Sequence, residues 1–341
     1  MAGTKNPQIS IIGSLNIDFV TTTPRCPTAG ETLTATSLTV SAGGKGGNQA
    51  VACGRSSFTS ESTQDVSVNM IGAVGADDPY YTSLLKPALE NSGVNTAAIE
   101  QSKIQTGSAS IIVEEINGEN RILVVPGANH AGMMSDVSSI LSALENDKPD
   151  VVVLQGEIPR STTIQLLEHF NHKKQAKVVF NPAPVFPEGI PLSAVQGTAV
   201  LIMNETEAVQ MARSIQNLPI GTFDGNLVPE ETARVFHEHA GVEIVLITLG
   251  AEGVFYSTRS GQAGPVPGVK VAKVVDTTAA GDTFVGYFAT AVARLLATGK
   301  SLEEFDDIRS AVERANAAAA MCVQRQGAMQ SIPFATVWVY P

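Results

Sequence analysis

Short apolar runs recur along the chain, and each gives way to a polar stretch with helical spacing. The runs at 8–12, 67–71, 151–154, 178–180, 199–203 and 243–249 are continuous rather than alternating, which marks strands covered on both faces. Between them the pattern predicts helices over 78–92, 135–146, 161–172, 205–214 and 229–240. Repeated strand–helix units of this kind imply an α/β architecture, a mostly parallel sheet with helices on both faces.

Two regions break the rhythm. Residues 106–113 and 121–125 are strand-like and flank Asn117-Gly118, a hairpin-turn signal. Residues 19–41, rich in Thr and Pro, read as extended rather than helical. Together they suggest a small β layer added to the sheet as a lid. The polar stretches 56–65 and 216–229 read as loops, and neither has the length or composition of a linker. Residues 1–341 therefore read as one domain, with a lid from about 19–41 and 106–125.

Composition narrows the class. With 43% hydrophobic and 16% charged residues among 341, the chain can bury a core and is not a disordered one. Its apolar runs all fall short of the ~18 residues that a membrane span needs. The first residues run into a strand without a signal-peptide core. Lys plus Arg number 22 against 33 Asp plus Glu, a net charge of −11, which disfavours nucleic acid and anionic membranes as partners. A phosphate ligand would then need local dipoles, a metal ion or a few placed cations. Cys26, Cys53 and Cys322 are unpatterned and read as free thiols in a reducing, cytoplasmic compartment.

The chemistry gathers in glycine-rich turns. In Ala42-Gly43-Gly44-Lys45-Gly46-Gly47-Asn48-Gln49 the glycines let backbone amides approach a ligand, and a helix over 50–55 follows. A dinucleotide fingerprint would need glycine where Gln49 stands. In Asp276-Thr277-Thr278-Ala279-Ala280-Gly281-Asp282 small residues lead into a helix over 281–297. Its first-turn N–H groups lack intrahelical partners and form an anion hole, with Asp282 beside it. Asn16 and Asp18 follow the first strand, Glu157 another, Asn204-Glu205-Thr206-Glu207 a third and Thr248-Leu249-Gly250-Ala251-Glu252-Gly253 a fourth. Ligands in open α/β sheets bind beyond the carboxyl ends of strands, so these turns share one rim. Gly299-Lys300-Ser301 is no phosphate loop, because Arg294 stands where its first glycine belongs. His237-Glu238-His239 and His169/His172 lack zinc spacing and read as solvated helix faces.

These motifs resemble the PfkB carbohydrate kinase family, over residues 11–333. Besides the two glycine-rich segments, the resemblance includes Pro126-Gly127-Ala128-Asn129, Leu154-Gln155-Gly156-Glu157, Asn181-Pro182-Ala183-Pro184, Asn204-Glu205-Thr206-Glu207 and Arg325-Gln326-Gly327-Ala328. It implies a three-layer α/β fold with a small β lid, and ATP-dependent phosphorylation of D-ribose at O5. Deoxyribose, fructose or adenosine as acceptor, or a sugar-sensing module without catalysis, are the alternatives. By the same resemblance Asn16, Ile17, Asp18, Gly44, Lys45, Gly46, Gly47, Asn48 and Glu157 bind the sugar. Asp282 is the base, and Ala279, Ala280 and Gly281 complete the anion hole with it. Asn204, Thr248, Leu249, Gly250, Ala251, Glu252, Gly253 and Asn316 bind the nucleotide, with Gly281 and Asp282. Glu207 organises Mg²⁺ through water, while Asp276, Thr278, Cys322, Arg325, Gly327 and Ser331 hold an activating K⁺. A homodimer through the lid is also implied.

Overall fold

The computed structural model describes residues 6–116, 119–145, 147–216 and 227–338. Its strands are β1 (Gln8–Ile12), β2 (Asn16–Thr23), β3 (Ser37–Gly43), β4 (Phe58–Ser60), β5 (Thr63–Gln64), β6 (Ser67–Gly75), β7 (Val94–Asn95) and β8 (Ile99–Ser102). They continue as β9 (Gly107–Glu114), β10 (Asn120–Val125), β11 (Val151–Leu154), β12 (Lys177–Phe180), β13 (Val200–Asn204), β14 (Ile244–Thr248), β15 (Gly253–Thr258) and β16 (Ala263–Pro267). The large sheet runs β16-β15-β14-β13-β12-β11-β1-β6-β7, with β8 also on β6. Every pairing from β14 across to β7 and β8 is parallel. Only the β14–β15 and β15–β16 pairings, at the far edge, are antiparallel.

Side chains alternate between the two faces of this sheet, as period-two strands require. Val151 and Val153 enter one buried core and Val152 and Leu154 the other. The first core lies beneath α1 (Lys45–Ser56) and, later in the chain, the helices Ala280–Ala297 and Ile308–Cys322. The second is covered by α4 (Val137–Ala143), α5 (Arg160–Lys173), α7 (Glu205–Ser214) and α8 (Pro229–Ala240). The short helices α2 (Lys86–Glu90), α3 (Ala128–Ala131) and α6 (Leu192–Val195) complete the set before α9 (Ala280–Ala297) and α10 (Ile308–Cys322). The result is the three-layer arrangement expected. Among the described residues no helix is long and apolar enough to cross a membrane.

A second sheet, β10-β9-β2-β3, forms the lid. Strand β2 pairs parallel with β9, while β3 and β10 pair antiparallel at its edges. The turn residues Asn117-Gly118 lie outside the described residues.

Several expectations need correction. The helix expected at 50–55 starts at Lys45, because Gly46 packs so closely on the β1–β2 turn that a Cβ would lie 2.5 Å from the Ser14 nitrogen. The segment 78–92 is helical without a break over 79–90, close to the expected bounds, but its middle, Tyr81–Leu85, is wound as a π turn before α2 continues it. The segment 135–146 shortens to α4, capped by Asp136, whose side chain accepts from the Ser138 N–H. Residues 56–65 are not a loose loop. They form the β4–β5 hairpin, with Ser56 and Ser57 buried and Asp65 paired 2.8 Å from Arg294. Of 216–229, residues 217–226 lie outside the described residues, and Gln216 bridges to Pro191. His237 is no solvated side chain: its ring nitrogens meet the Val242 carbonyl at 2.7 Å and Ser257 Oγ at 2.9 Å.

Candidate active site

The carboxyl ends of β1, β11, β13 and β14 meet a cleft of about 360 Å³, and the lid residues Ala109, Ile111, Ile122 and Val124 face it from above. Asn16 and Asp18 stand two apart on β2, so both side chains fall on the cleft side. Ile17 between them points the other way and lines a separate cavity behind the lid with Phe19. The turn that delivers β2 is fixed by Asn129. Its Oδ1 accepts from the Leu15 N–H at 2.9 Å, and its Nδ2 donates to Asn16 Oδ1 at 2.7 Å and to the Leu15 carbonyl at 3.2 Å.

Gly44 turns the chain at φ 86° so that α1 starts with its N–H groups toward the same point. Glu157 Oε2 accepts from the Lys45 N–H at 2.9 Å and from Ser14 Oγ at 2.6 Å. A carboxylate at a helix N-terminus is favourably placed against the helix dipole. Gly46 donates to Ser14 Oγ at 3.2 Å and Gly47 to the Ser14 carbonyl at 2.9 Å, so both glycines serve the backbone of the site. Gly43 has a further reason to lack a side chain, because a Cβ there would sit 2.0 Å from Asp18 Oδ2.

Opposite stands the start of α9. Ala279 holds a left-handed backbone at φ 61°, an uncommon state for alanine, and accepts from the Thr283 N–H and hydroxyl at 2.8 Å each. At Gly281 an added Cβ would meet no protein atom within 4 Å. Nothing in the protein's own packing demands glycine there, which leaves the open space for a ligand. Asp282 is buried, with Oδ2 accepting from Asn48 Nδ2 and Oδ1 from Gln49 Nε2, each at 2.9 Å. Asn48 Oδ1 is buried with no partner among the described residues. A buried unmatched acceptor is costly, and here it belongs to a side chain that lines the cleft.

The charges are unbalanced. Burial, together with Glu157 and Asp282, pushes the Asp18 carboxyl up to about 7. Burial lowers the Lys45 ammonium, but Asp282, Glu157 and Glu207 outweigh it and leave Lys45 above its usual value. Burial likewise raises Glu207. Asp18 in the ligand-free chain therefore works against folding. From near its ordinary 3.8 up to about 7, the folded chain keeps a proton that the unfolded chain has lost, so stability falls as pH rises and the deficit is complete above that window. Asp18→Asn should raise the ligand-free unfolding midpoint at pH 8, by on the order of 4 kcal/mol of stability, and change little at pH 4. Equal midpoints at both pH values, followed by thermal denaturation, would dismiss this account.

Along another wall of the cleft, Asn204 ends β13 beside Thr248 on β14, and both line it with Glu207. Asn204 and Glu207 form a reciprocal cap, Glu207 N–H to Asn204 Oδ1 at 2.8 Å and Asn204 N–H to Glu207 Oε2 at 2.9 Å. Leu249, Gly250, Ala251, Glu252 and Gly253 form a tight turn outside the cleft lining. Asn316 lies outside it as well, donating Nδ2 to the Pro267 carbonyl at 2.9 Å.

The proposed cation residues gather as two joined loops. Asp276 accepts from the N–H of Thr278 and of Gly327, both at 2.9 Å, and the Val275 N–H reaches the Val323 carbonyl at 2.7 Å. Burial raises the Asp276 carboxyl, but the Thr278 and Gly327 donors outweigh it and leave it low and ionised. Cys322 Sγ lies 3.0 Å from Ser331 Oγ, and burial pushes its thiol up, so a carbonyl rather than a thiolate is its natural ligand atom. The Cys322 carbonyl also accepts from the Arg325 N–H at 3.0 Å. Such oxygen donors fit a hard monovalent cation. Glu207, with one oxygen engaged by Asn204, fits Mg²⁺ held through water.

Sequence reasoning missed the amides behind the site. Gln49 served there only to exclude a dinucleotide fold, and Asn129 and Asn181 only as parts of motifs. A buried amide next to a glycine-rich strand end is the signal that was available.

The topology and the cleft are those of a small-molecule phosphotransferase. The chain belongs to the pfkB family of carbohydrate kinases, whose pattern matches residues 6–335. It is 35% identical over 334 residues to the ribokinase of Schizosaccharomyces pombe, covering 95% of this chain and 94% of that one. Among solved structures it resembles the ribokinase of Thermotoga maritima, at TM-score 0.76 and 34% identity over 96% of both chains. It also resembles Arabidopsis thaliana ribokinase complexed with ribose and ATP, at TM-score 0.75 and 30% identity over 97% of both chains.

Proposed function

We propose that this chain transfers the γ-phosphoryl group of ATP to O5 of D-ribose. The observation that carries the reading is the meeting, in one cleft, of the Asp282 carboxylate held by Asn48 and Gln49 with the open first turn of α9. Asn16, Asp18, Lys45, Asn48 and Glu157 hold the sugar. A sugar hydroxyl supplies the donor that Asn48 Oδ1 lacks. Asp282 takes the proton from the primary hydroxyl as its oxygen attacks phosphorus and the bond to the leaving ADP oxygen breaks. The N–H groups of Ala279, Gly281 and Asp282 then stabilise the equatorial oxygens, while that of Ala280 donates to the Thr277 carbonyl at 3.3 Å and braces the turn. Phosphoryl transfer needs little beyond such positioning and charge stabilisation.

Asn204, Thr248, the 249–253 turn and Asn316 form the nucleotide side. Glu207 would hold Mg²⁺ through water, where the ion neutralises phosphate charge. Oxygens of Asp276, Thr278, Cys322, Arg325, Gly327 and Ser331 would hold K⁺, tying the loop before α9 to the loop after α10. Residues 1–341 act as a single catalytic unit in the cytoplasm, a compartment in keeping with the free thiols of Cys26, Cys53 and Cys322. A homodimer forms through the lid, supported by Leu38, Leu123 and Val125, which lie exposed on its strands. Neither nucleic acid nor membrane is a partner, in keeping with the acidic balance.

One assay tests this. ADP release should be fastest with ribose among ribose, 2-deoxyribose, fructose and adenosine, and several-fold faster in K⁺ than in Na⁺ or choline at equal ionic strength. Preference for another acceptor would reassign the substrate. Equal rates in the three cations would remove the K⁺ site, and no ADP from any acceptor would leave a sugar-binding module.

A further inference from the structure

We propose that Gln49 is a positioning residue for the Asp282 carboxylate, and that Gln155 and Asn181 fix which end of its amide faces that carboxylate. This rests on Asp282 acting as the base. Gln49 Nε2 donates to Asp282 Oδ1 at 2.9 Å and to Asn181 Oδ1 at 3.0 Å, while Gln49 Oε1 accepts from Gln155 Nε2 at 2.8 Å. Asn181 Nδ2 in turn donates to the Ile202 carbonyl at 2.9 Å. Gln49, Gln155 and Asn181 are all buried.

The polarity of this chain of amides starts from the backbone. The Ile202 carbonyl can only accept, so Asn181 must turn its NH₂ there and offer Oδ1 to Gln49. Gln49 must answer with NH₂, which leaves its carbonyl oxygen for Gln155. A flipped Gln49 would press Oε1 against two acceptors, Asn181 Oδ1 and Asp282 Oδ1, and set its NH₂ against that of Gln155. Because these side chains are buried, each mismatch is costly. Gly13 makes room for Gln155, since a Cβ there would lie 2.0 Å from Gln155 Oε1.

The two neighbours on α1 therefore divide the work. Asn48 faces the cleft and couples the carboxylate to the sugar. Gln49 faces the sheet and couples it to the strand ends of β11, β12 and β13. The base then keeps one orientation whether or not sugar is bound.

The experiment compares Gln49→Leu, Gln155→Leu and Asp282→Asn by steady-state kinetics with ribose and ATP. Gln49→Leu should lower kcat about 100-fold, the scale of a misplaced reacting group, and leave both KM values within about threefold. Gln155→Leu touches neither Asp282 nor the cleft, and should lower kcat about three- to tenfold with the same unchanged KM values. Damage to α1 itself would instead raise the ribose KM, because Lys45 and Asn48 belong to that helix. If Gln49→Leu does not fold, Gln155→Leu decides. Wild-type kcat in Gln155→Leu, or losses confined to KM, overturn the proposal. Asp282→Asn separates the two ideas: if it keeps kcat within tenfold, the base assignment fails; if it is inactive while both glutamine variants are fully active, only the relay fails.

Discussion

Asp282→Asn should lower kcat by about three to four decades, the upper part of the range for loss of a general base. The ribose KM should stay within a few-fold, because Asn16, Asp18 and Glu157 reach the cleft from other elements. The substitution keeps size and shape, yet it cannot keep both present contacts. Asn48 Nδ2 and Gln49 Nε2 each donate to one carboxylate oxygen, and an amide offers one oxygen and one NH₂. A donor is left facing a donor, which costs about 1–3 kcal/mol of stability. A modest fall in unfolding midpoint alongside the collapse in kcat is therefore expected. Midpoint and activity should separate at this position, and a variant that turned over within tenfold of wild type would exclude Asp282 as the base.

Much of the framework could be read from local pattern, because local chemistry decides it. Strands β1 and β11 came out at their boundaries since both faces are buried and each apolar run ends at a polar or glycine-bearing turn, Gly13-Ser14 and Gln155-Gly156. Helix α7 begins where Asn204 caps it and Glu207 reaches back. Helix α8 begins at a proline in its first turn and ends at Gly241, left-handed at φ 62°. These are signals that a sequence carries within a few residues.

What escaped depends on partners distant in the chain. Gly46-Gly47 argues against a helix on propensity, and packing on Ser14 decides the matter instead. The 56–65 segment looks like a loop by composition, but Asp65 is tied to Arg294 in α9 and Ser56 lies buried under the same helix. The motifs named the residues that surround a ligand, such as Asn16, Asn48 and Asp282. They did not show the residues that hold those in place, since Asn129, Gln155 and Asn181 act from over 100 positions away on the residues they fix. Ligand-facing roles follow from recurrent local chemistry, whereas supporting roles follow from the fold.

Two glycines of α9 should respond in opposite ways to the same small change. At Gly286 an alanine Cβ would lie 2.3 Å from the Ala52 Cβ and 2.7 Å from the Cys53 nitrogen, both on α1. Backbone cannot yield as a flexible side chain does, so the helices must separate, and Gly286→Ala should cost about 1–3 kcal/mol. Valine, stiffer at its branched Cβ, should cost more. Gly286 lies one turn after Asp282, and Ala52 one turn after Asn48, so separation also stretches the 2.9 Å contacts that hold the carboxylate. Activity should fall with stability there. At Gly281 the same added carbon meets no protein atom within 4 Å, and alanine is the better helix former by about 1 kcal/mol. Gly281→Ala should therefore unfold no earlier than wild type, yet lose about 100-fold in kcat, because its methyl group occupies the space for the transferring phosphoryl oxygens. Urea unfolding and kcat measured on both variants decide the point: a stable, fully active Gly281→Ala would move the anion hole away from the start of α9, and a Gly286→Ala as stable as wild type would show that the α1–α9 crossing has slack.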